Sequence, residues 1–393
     1  MYFDPFAPRL SSPRQPDVLE AYQSAAQDIT SGFGAVANLW MTAVQAQMIY
    51  AHDQWSEWMG LSVPLREPTH HFSIAHNVQA GKIPPTKVTS EVLADFPFCR
   101  VWSFDRTEKT PNDPTFLIVA PYSGTDVRIM SDAVTAFLPI GNVRLIEQRD
   151  RHRVPFYHTN GLDDSTGALI EVARRNPNCH MIGFSQSGVP ATVATAWMYQ
   201  NPAFKGREPA SLTVIGSPIN AQLAPSTINK MAASTISDPP YVMVGPYFAG
   251  AGCFVLPGAL SKLCLQGEEQ PRKMRGEASN QSLPAEHIHD TLKRVFREFW
   301  LAKGIYKFKG KHVNTGAITC PVLTFAGEND RICPPAQVHD LHRITPNAAS
   351  RVHLTLTGID HYDLVEKEVL AKRIVPIVKP VAQQMALPLP SVA

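Results

Sequence analysis

Short apolar runs alternate with helical stretches from about residue 96 to the end of the chain. Each run is five or six residues long and ends in turn-forming residues, a pattern that predicts buried strands. We predict strands at residues 99–104, 115–120, 143–147, 179–184, 211–216, 321–326 and 352–357. Helical spacing predicts helices at residues 126–137, 166–175 and 190–199. This alternation is typical of a parallel sheet covered by helices on both faces.

The N-terminal region follows a different pattern. Residues 17–59 have helical spacing, and one face carries the apolar stripe Phe33, Val36, Trp40, Val44 and Met48. We interpret this stripe as the face of a helix that docks on the core. The alternative is that it contacts a hydrophobic partner surface. From residue 64 to residue 96 the chain reads as loop-like.

A second irregular block, residues 217–320, interrupts the series of strands. It is rich in proline, glycine and aromatic residues and holds one clear helix, which includes Ile288 and Trp300 and ends near Gly304. We predict a cap over the carboxyl edge of the sheet, where open α/β sheets bind ligands. The predicted units are an N-terminal helical extension (1–95), a first part of the core (96–217), the cap (218–312) and a C-terminal part of the core (313–393).

Composition narrows the functional classes. The chain has 393 residues, 18% of them charged, and a formal net charge of +2, so a nucleic-acid partner is not expected. The six cysteines lack zinc-binding spacing, and neither a phosphate-binding loop nor a nucleotide fingerprint occurs. We therefore expect no metal and no cofactor. Without a secretory signal or a long apolar run, we expect a cytoplasmic protein with no transmembrane segment.

The strongest indication of chemical function in the sequence is the motif around Ser185. It follows an apolar strand and precedes a helix, within Gly183-Phe-Ser-Gln-Ser187. A nucleophilic serine needs such a tight turn to hold its hydroxyl clear of the sheet, and small flanking residues avoid clashes there. The pattern differs by one residue from the Gly-x-Ser-x-Gly box. We predict that Ser185 is a nucleophile, the alternative being an ordinary turn serine.

A serine nucleophile needs an imidazole base and a carboxylate that orients it. Asp330 follows the strand at 321–326 and His361 follows the strand at 352–357, which gives the chain order serine, acid, histidine. We predict that Asp330 is the acid and His361 the base. The nearest substitutes for the acid are Glu328, Asp360 and Asp363, and His353 reads as structural.

An ester hydrolase also needs donors for the oxyanion. One is the backbone N–H after the nucleophile, here that of Gln186. The other comes from the loop after the strand at 115–120, where Tyr122 and Ser123 are the candidates. The alternative is a plain strand-to-helix turn with no such role.

Together these motifs resemble the intracellular polyhydroxyalkanoate (polyhydroxybutyrate) depolymerases, over about residues 96–378. The resemblance rests on segments in the oxyanion region, after the strand at 143–147, at the serine turn, at the acid, at the histidine and near the C-terminus. These segments are Val119-Ala-Pro-Tyr-Ser-Gly124, Arg151-His-Arg-Val-Pro155, Ser185-Gln-Ser-Gly-Val-Pro190, Gly327-Glu-Asn-Asp330, His361-Tyr362 and Arg373-Ile-Val-Pro376. Many family members carry cysteine at the position of Ser185, whereas serine is the usual nucleophile of lipases.

The resemblance implies an α/β-hydrolase fold, that is, a mostly parallel central sheet with helices on both faces and a cap insertion. It also implies a depolymerase that hydrolyses (R)-3-hydroxyalkanoate esters of storage granules through a serine acyl-enzyme. The expected partner is a polyester granule or a hydroxyalkanoate oligomer, and a homo-oligomer stays open. Alternatives are a carboxylesterase of short hydroxyacid oligomers, a synthase-like acyltransferase and a non-catalytic granule protein.

Overall fold

The computed structural model of the chain describes a core that includes all seven predicted strands. The described residues are 88–106, 110, 113–121, 130–149, 160–226, 229, 232, 255–256 and 283–386. The predicted N-terminal helix at 17–59 lies outside them, as does most of the predicted cap. The division of the chain into four units therefore stays a prediction.

The centre of the structure is an eight-stranded sheet. Its strands are β1 Val88–Asp95, β2 Cys99–Arg106, β3 Thr115–Val119, β4 Asn142–Gln148, β5 His180–Phe184, β6 Ser211–Ile215, β11 Val322–Gly327 and β12 Arg351–Leu356. Their order across the sheet is β1-β2-β4-β3-β5-β6-β11-β12. β1 and β2 pair antiparallel to each other, and β2 pairs antiparallel to β4. From β4 to β12 all pairs are parallel, so the carboxyl ends of these strands meet at one edge.

Four two-residue strands form two small antiparallel pairs outside this sheet. β7 Val255–Leu256 pairs with β8 Leu283–Pro284, and β9 Lys307–Phe308 pairs with β10 Lys311–His312.

Helices cover both faces of the sheet. They are α1 Ser131–Phe137, α2 Leu162–Arg175, α3 Gly188–Gln200, α4 Ala285–Asp290, α5 Pro335–His339, α6 Leu341–Ile344, α7 Lys367–Val369 and α8 Val375–Ala386. Shorter 3₁₀ turns span Leu138–Ile140, Ser185–Ser187, Pro202–Phe204, Thr315–Ala317 and Asp363–Val365. Two π-helical segments span Thr291–Arg297 and Leu370–Ile374.

The alternation of side chains along the strands produces two hydrophobic clusters. Along β3, Leu117 and Val119 belong to the cluster that contains residues of α2 and α3. Phe116 and Ile118 belong to the cluster that contains residues of α1 and α8. Because successive strand residues point to opposite faces, an unbroken apolar run fills both cores. The mostly parallel sheet with two covered faces confirms the predicted α/β-hydrolase fold class.

The seven predicted strands all form, and the helices differ mainly at their ends. The helix predicted from residue 166 begins at Leu162, and the one predicted from residue 190 begins at Gly188. The helix predicted from residue 126 is described only from Ser131, because residues 122–129 lie outside the described part of the chain.

The first strand corrects the sequence analysis, which predicted a loop-like segment up to residue 96. β1 lies at the edge of the sheet and pairs with a single neighbour, with a bulge between Val92 and Ala94. Val92 and Leu93 remain exposed. Since an edge strand buries little of its surface, its sequence carries no continuous apolar run.

The helix near residue 300 also ends earlier than predicted. α4 continues into the π-helical segment Thr291–Arg297 and stops there, and Phe299 adopts a positive φ of 56°. Gly304, predicted as the end, lies beyond it. Phe299 and Trp300 still pack against the hydrophobic core, so tertiary packing takes precedence over the helical spacing.

A buried ion network joins this helix to the core. The Arg294 guanidinium lies 2.7 Å from Asp163 Oδ1 and 3.2 Å from Asp290 Oδ1. Asp290 also accepts a hydrogen bond from the Leu162 N–H at the start of α2, and Asp163 accepts one from the Lys309 N–H. The network therefore fixes α4 against the first turn of α2. No helix among the described residues is long and apolar enough to cross a membrane.

The buried His180 predicts acid-dependent unfolding. Its Nδ1 lies 2.8 Å from Ser211 Oγ, and burial lowers its pKa from 6.5 to about 4. The unfolded chain takes up this proton as the pH falls below 6.5, whereas the folded chain does so only near pH 4. The contribution of His180 to stability is therefore full above pH 6.5 and is lost as the pH falls towards 4, by about 3 kcal/mol.

We expect His180→Asn to be less stable at pH 8 but to lose less stability than the wild type between pH 6.5 and 4, in urea titrations. Ser211→Ala is the matched control, because it removes the hydrogen bond and keeps the buried imidazole. An equal loss in wild type and His180→Asn would contradict this assignment.

Candidate active site

Ser185 occupies a strained turn at the carboxyl end of β5. Its φ is +51°, in the left-handed region that non-glycine residues rarely adopt. The chain passes from β5 through the 3₁₀ turn Ser185–Ser187 directly into α3. A strained conformation of this kind costs on the order of 1–3 kcal/mol and is typical of functional sites.

Two glycines make the turn sterically possible. A Cβ on Gly183 would lie 2.6 Å from the Cα of Gly188, and a Cβ on Gly188 would lie 2.0 Å from Ser217 Oγ. These distances are shorter than any normal contact, and backbone atoms are among the neighbours. The close approach of β5, α3 and the segment after β6 therefore requires glycine at both positions.

Ser187 does more in the turn than provide a small neighbour for Ser185. Its Oγ accepts a hydrogen bond of 2.9 Å from the Phe184 N–H. It also lies 2.8 Å from the carbonyl oxygens of Val119 and Phe184, to one of which it donates its proton. The hydroxyl thus connects the serine turn to the end of β3. No local sequence pattern indicates this bond.

The three predicted residues Ser185, His361 and Asp330 form one hydrogen-bonded chain. Ser185 Oγ lies 3.0 Å from His361 Nε2. On the other side of the ring, His361 Nδ1 lies 2.7 Å from Asp330 Oδ2. The three residues follow β5, β12 and β11, whose carboxyl ends meet at the same edge of the sheet. The order matches the arrangement of nucleophile, base and orienting acid.

The carboxylate of Asp330 is buried and fully occupied. Its Oδ1 accepts hydrogen bonds from the backbone N–H groups of Ile332 (2.9 Å) and Cys333 (2.7 Å). Its Oδ2 faces the imidazole, and the residue is only 3% exposed. Backbone donors on one oxygen leave the other fixed in orientation, so the carboxylate can hold the ring in a single position.

The other carboxylates near His361 are engaged elsewhere. Asp360 Oδ1 accepts from the Tyr362 and Asp363 N–H groups, and Asp363 Oδ2 accepts from the Asp360 N–H. Glu328 Oε2 accepts from the Gly358 N–H. These side chains shape the loops that carry the acid and the histidine, and the geometry selects Asp330 as the partner of the imidazole.

His353 lies apart from this chain of hydrogen bonds. Its ring packs 5.5 Å from the ring of His339 and 5.8 Å from that of His342, measured between centroids. This position agrees with its interpretation as structural. Within the described ranges, no group of three or more histidine, cysteine or acidic side chains is arranged to hold a metal ion.

An apolar pocket opens beside Ser185 and His361. Gly216, with a φ of +57°, lies beneath the imidazole: a Cβ there would be 2.8 Å from Leu364 and 3.5 Å from His361. Besides the serine and the histidine, the lining is mostly apolar. It comprises Pro121, Phe184, Gln186, Ile215, Gly216, Pro218, Phe296, Ile332, Cys333, Tyr362, Leu364 and Val365. Such a lining suits an aliphatic acyl chain.

The predicted oxyanion donors are only partly described. Gln186 follows Ser185 in the 3₁₀ turn and lines the pocket, as expected for the residue after the nucleophile. Tyr122 and Ser123 lie outside the described residues, which end at Pro121 on this side of the site. The second donor therefore stays a prediction.

A protein-family model matches the C-terminal part of the chain. Residues 277–386 match the family model described as PHB de-polymerase C-terminus. This segment contains Asp330 and His361, and it confirms the predicted family resemblance for this part of the chain. No match to the chain was found among curated proteins.

Several solved structures are similar to this chain at low sequence identity. A lipase candidate from Acinetobacter baumannii AYE is 12% identical to this chain, with a TM-score of 0.49. The match covers 79% of this chain and 97% of the lipase chain. The monoacylglycerol lipase of Paleococcus ferrophilus is 11% identical, with coverages of 76% and 99% and a TM-score of 0.46. Carboxyl esterase 2 of Tuber melanosporum is 10% identical, with coverages of 84% and 97% and a TM-score of 0.45.

The close packing at Gly188 leads to a stability prediction. We expect Gly188→Ala to destabilise the fold by about 1–3 kcal/mol, because the new methyl group would overlap Ser217. Gly167→Ala is the matched control: the same methyl group, placed on α2, comes no closer than 3.9 Å to Lys309 Nζ. It should stabilise the protein by up to about 1 kcal/mol through helix propensity. Equal shifts of the urea midpoint in the two variants would contradict the steric explanation.

Proposed function

We propose that the protein is a serine hydrolase that cleaves the ester bonds of poly(3-hydroxyalkanoates), with polyhydroxybutyrate as the reference substrate. The observation that carries the proposal is the hydrogen-bonded chain of Ser185, His361 and Asp330 at the carboxyl edge of the sheet. The family match over residues 277–386, which includes the acid and the histidine, supports the polyester as substrate.

In the first half of the reaction, Ser185 Oγ attacks the ester carbonyl while His361 Nε2 takes the hydroxyl proton. Asp330 stabilises the imidazolium that forms and keeps Nδ1–H directed at its own Oδ2. The Gln186 N–H, together with the backbone N–H of Tyr122 or Ser123, holds the negative oxygen of the tetrahedral intermediate. His361 then gives its proton to the departing alcohol oxygen, which leaves an acyl-enzyme on Ser185.

The second half repeats these steps with water. His361 removes a proton from a water molecule, whose oxygen attacks the acyl carbon. The bond to Ser185 Oγ breaks, the serine regains its proton from His361, and a hydroxy acid is released. The buried carboxylate of Asp330 serves both halves because its position does not depend on the substrate.

The apolar pocket favours a short aliphatic acyl unit over a charged or nucleotide-bearing substrate. Phe296, Leu364 and Val365 line it. The 3-hydroxyalkanoate repeat presents one small alkyl side group and one ester and carries no charge. We propose that the substrate is this polymer in a cytoplasmic storage granule, or an oligomer derived from it.

The other candidate functions rest on weaker support. A polymer synthase of the same fold would pass the acyl group from a thioester to a hydroxyl, chemistry to which a thiolate is better suited than Ser185. A non-catalytic granule protein would have no need for the hydrogen-bonded chain.

Two experiments distinguish these alternatives from a hydrolase. Incubation with 3-hydroxybutyryl-CoA should yield no polymer, and a fluorophosphonate probe should label Ser185.

Loss of the nucleophile or of the acid should abolish most of the activity. We expect Ser185→Ala to release no detectable 3-hydroxybutyrate from amorphous granules, and Asp330→Asn to lower kcat by roughly 10⁴-fold because the imidazole loses its orienting partner. Asp363→Asn is the matched control, since that carboxylate bonds only to the backbone of its own loop among the described contacts. Wild-type rates in Ser185→Ala would refute the acyl-enzyme mechanism.

Granule association is a separate proposal and rests on the N-terminal stripe, which lies outside the described residues. If the stripe from Phe33 to Met48 contacts the polymer, charged residues in place of Trp40 and Val44 should reduce co-sedimentation with granules. The rate on a water-soluble ester is the control and should not change. Unchanged co-sedimentation of the stable variant would remove the support for this proposal.

A further inference from the structure

The side chain of Gln186 holds a polar atom that the proposed mechanism leaves unused. Its Oε1 is buried and has no hydrogen-bond partner in the part of the chain that the structure describes. The residue lines the apolar pocket next to Ser185 and His361. A buried amide oxygen without a donor costs on the order of 1–3 kcal/mol, so native proteins rarely keep one without a reason.

The described surroundings supply no donor for this oxygen. Apart from the serine, the histidine, Tyr362 and Cys333, the lining residues have apolar side chains or none. Of these polar groups, Ser185 Oγ and His361 are already bonded to each other. No described residue donates a hydrogen bond to this oxygen, so a molecule bound in the pocket can supply the missing donor.

We propose that Gln186 Oε1 accepts a hydrogen bond from a free 3-hydroxyl on the acyl unit of the substrate, which makes Gln186 a specificity-determining residue for hydroxyl-terminated chains. This inference rests on the proposed ester hydrolase function. Gln186 neighbours the nucleophile in the chain, so a substrate group that reaches its side chain lies within a few bonds of the attacked carbonyl. In a 3-hydroxyacyl unit, the oxygen on C3 is two carbons from that carbonyl.

The chemistry of the polymer then selects the position of the cut. Inside a poly(3-hydroxyalkanoate) chain every C3 oxygen is esterified, and the repeat has neither an O–H nor an N–H donor. The 3-hydroxyl is free only on the terminal unit or on a monomeric acyl group. The unpaired acceptor therefore favours release of acyl units from the hydroxyl end of a chain or oligomer.

Each turnover in this mode regenerates the group that is recognised. The bond from Ser185 Oγ to the terminal acyl carbon forms, and the bond to the next unit's C3 oxygen breaks. That oxygen takes the proton from His361 and becomes the new free 3-hydroxyl end. Water then releases the terminal 3-hydroxy acid from Ser185.

The test compares ethyl (R)-3-hydroxybutyrate with ethyl butyrate, which lacks only the 3-hydroxyl. We expect the wild type to prefer the hydroxylated ester by about 10-fold in kcat/KM, because the amide oxygen is already desolvated before the substrate binds. Gln186→Met should remove this preference, so that the ratio of the two kcat/KM values falls to about 1 or below. Gln186→Glu keeps an acceptor oxygen at the same position and should retain the preference even if both rates fall.

A second measurement does not depend on any variant. The wild type should release monomer from a linear 3-hydroxybutyrate trimer about 10-fold faster than from the same trimer with its terminal hydroxyl O-methylated. Equal rates on the two trimers would overturn the inference, as would an unchanged ester preference in Gln186→Met that is still labelled by a fluorophosphonate at Ser185. If the wild type hydrolysed none of these esters, the proposed function itself would fail, a result distinct from hydrolysis without preference.

Discussion

The buried carboxylate of Asp330 is the contact on which the geometry of the site depends. Two backbone N–H groups of the following loop bind one of its oxygens, and the imidazole of His361 binds the other. Because the loop itself supplies these donors, the acid is oriented before any substrate arrives. The ring of His361 is in turn held between this carboxylate and Ser185, with Gly216 leaving room beneath it. In the proposed mechanism, this buried and preorganised arrangement is what allows the neutral Ser185 hydroxyl to react as a nucleophile.

The sheet explains how residues so far apart in the chain meet. Ser185, Asp330 and His361 each follow a parallel strand, and parallel strands expose their carboxyl ends at one edge. The same topology brings the end of β3 beside the serine turn, where Ser187 bonds to Val119. Correct strand register and tight turns are therefore enough to assemble the site. The glycines at 183 and 188 make the tight turn after β5 possible.

Most of the strands and the three hydrogen-bonded residues of the site could be predicted from the sequence, for simple physical reasons. Strands buried on both faces are continuous apolar runs, and a nucleophile at a strand-to-helix turn needs small neighbours. The chain order of serine, acid and histidine then restricts the candidates. β1 was not predicted because an edge strand is half exposed and lacks a continuous apolar run. The end of the helix at Arg297 was not predicted because core packing of Phe299 and Trp300 determines the backbone conformation there. The bonds of Ser187 and the unpaired Gln186 oxygen depend on three-dimensional neighbours that no local pattern encodes.

The hydroxyl of Ser187 has a consequence for how this sequence can change over evolutionary time. Serine hydrolases commonly have glycine at this position, and a single exchange would bring this chain to the common motif. That exchange would remove the side-chain acceptor of the Phe184 N–H and the link to the carbonyl at the end of β3. Both bonds join Ser187 to backbone groups, which nearly every residue supplies, so the constraint lies on position 187 itself and not on the identity of the side chains at positions 119 and 184.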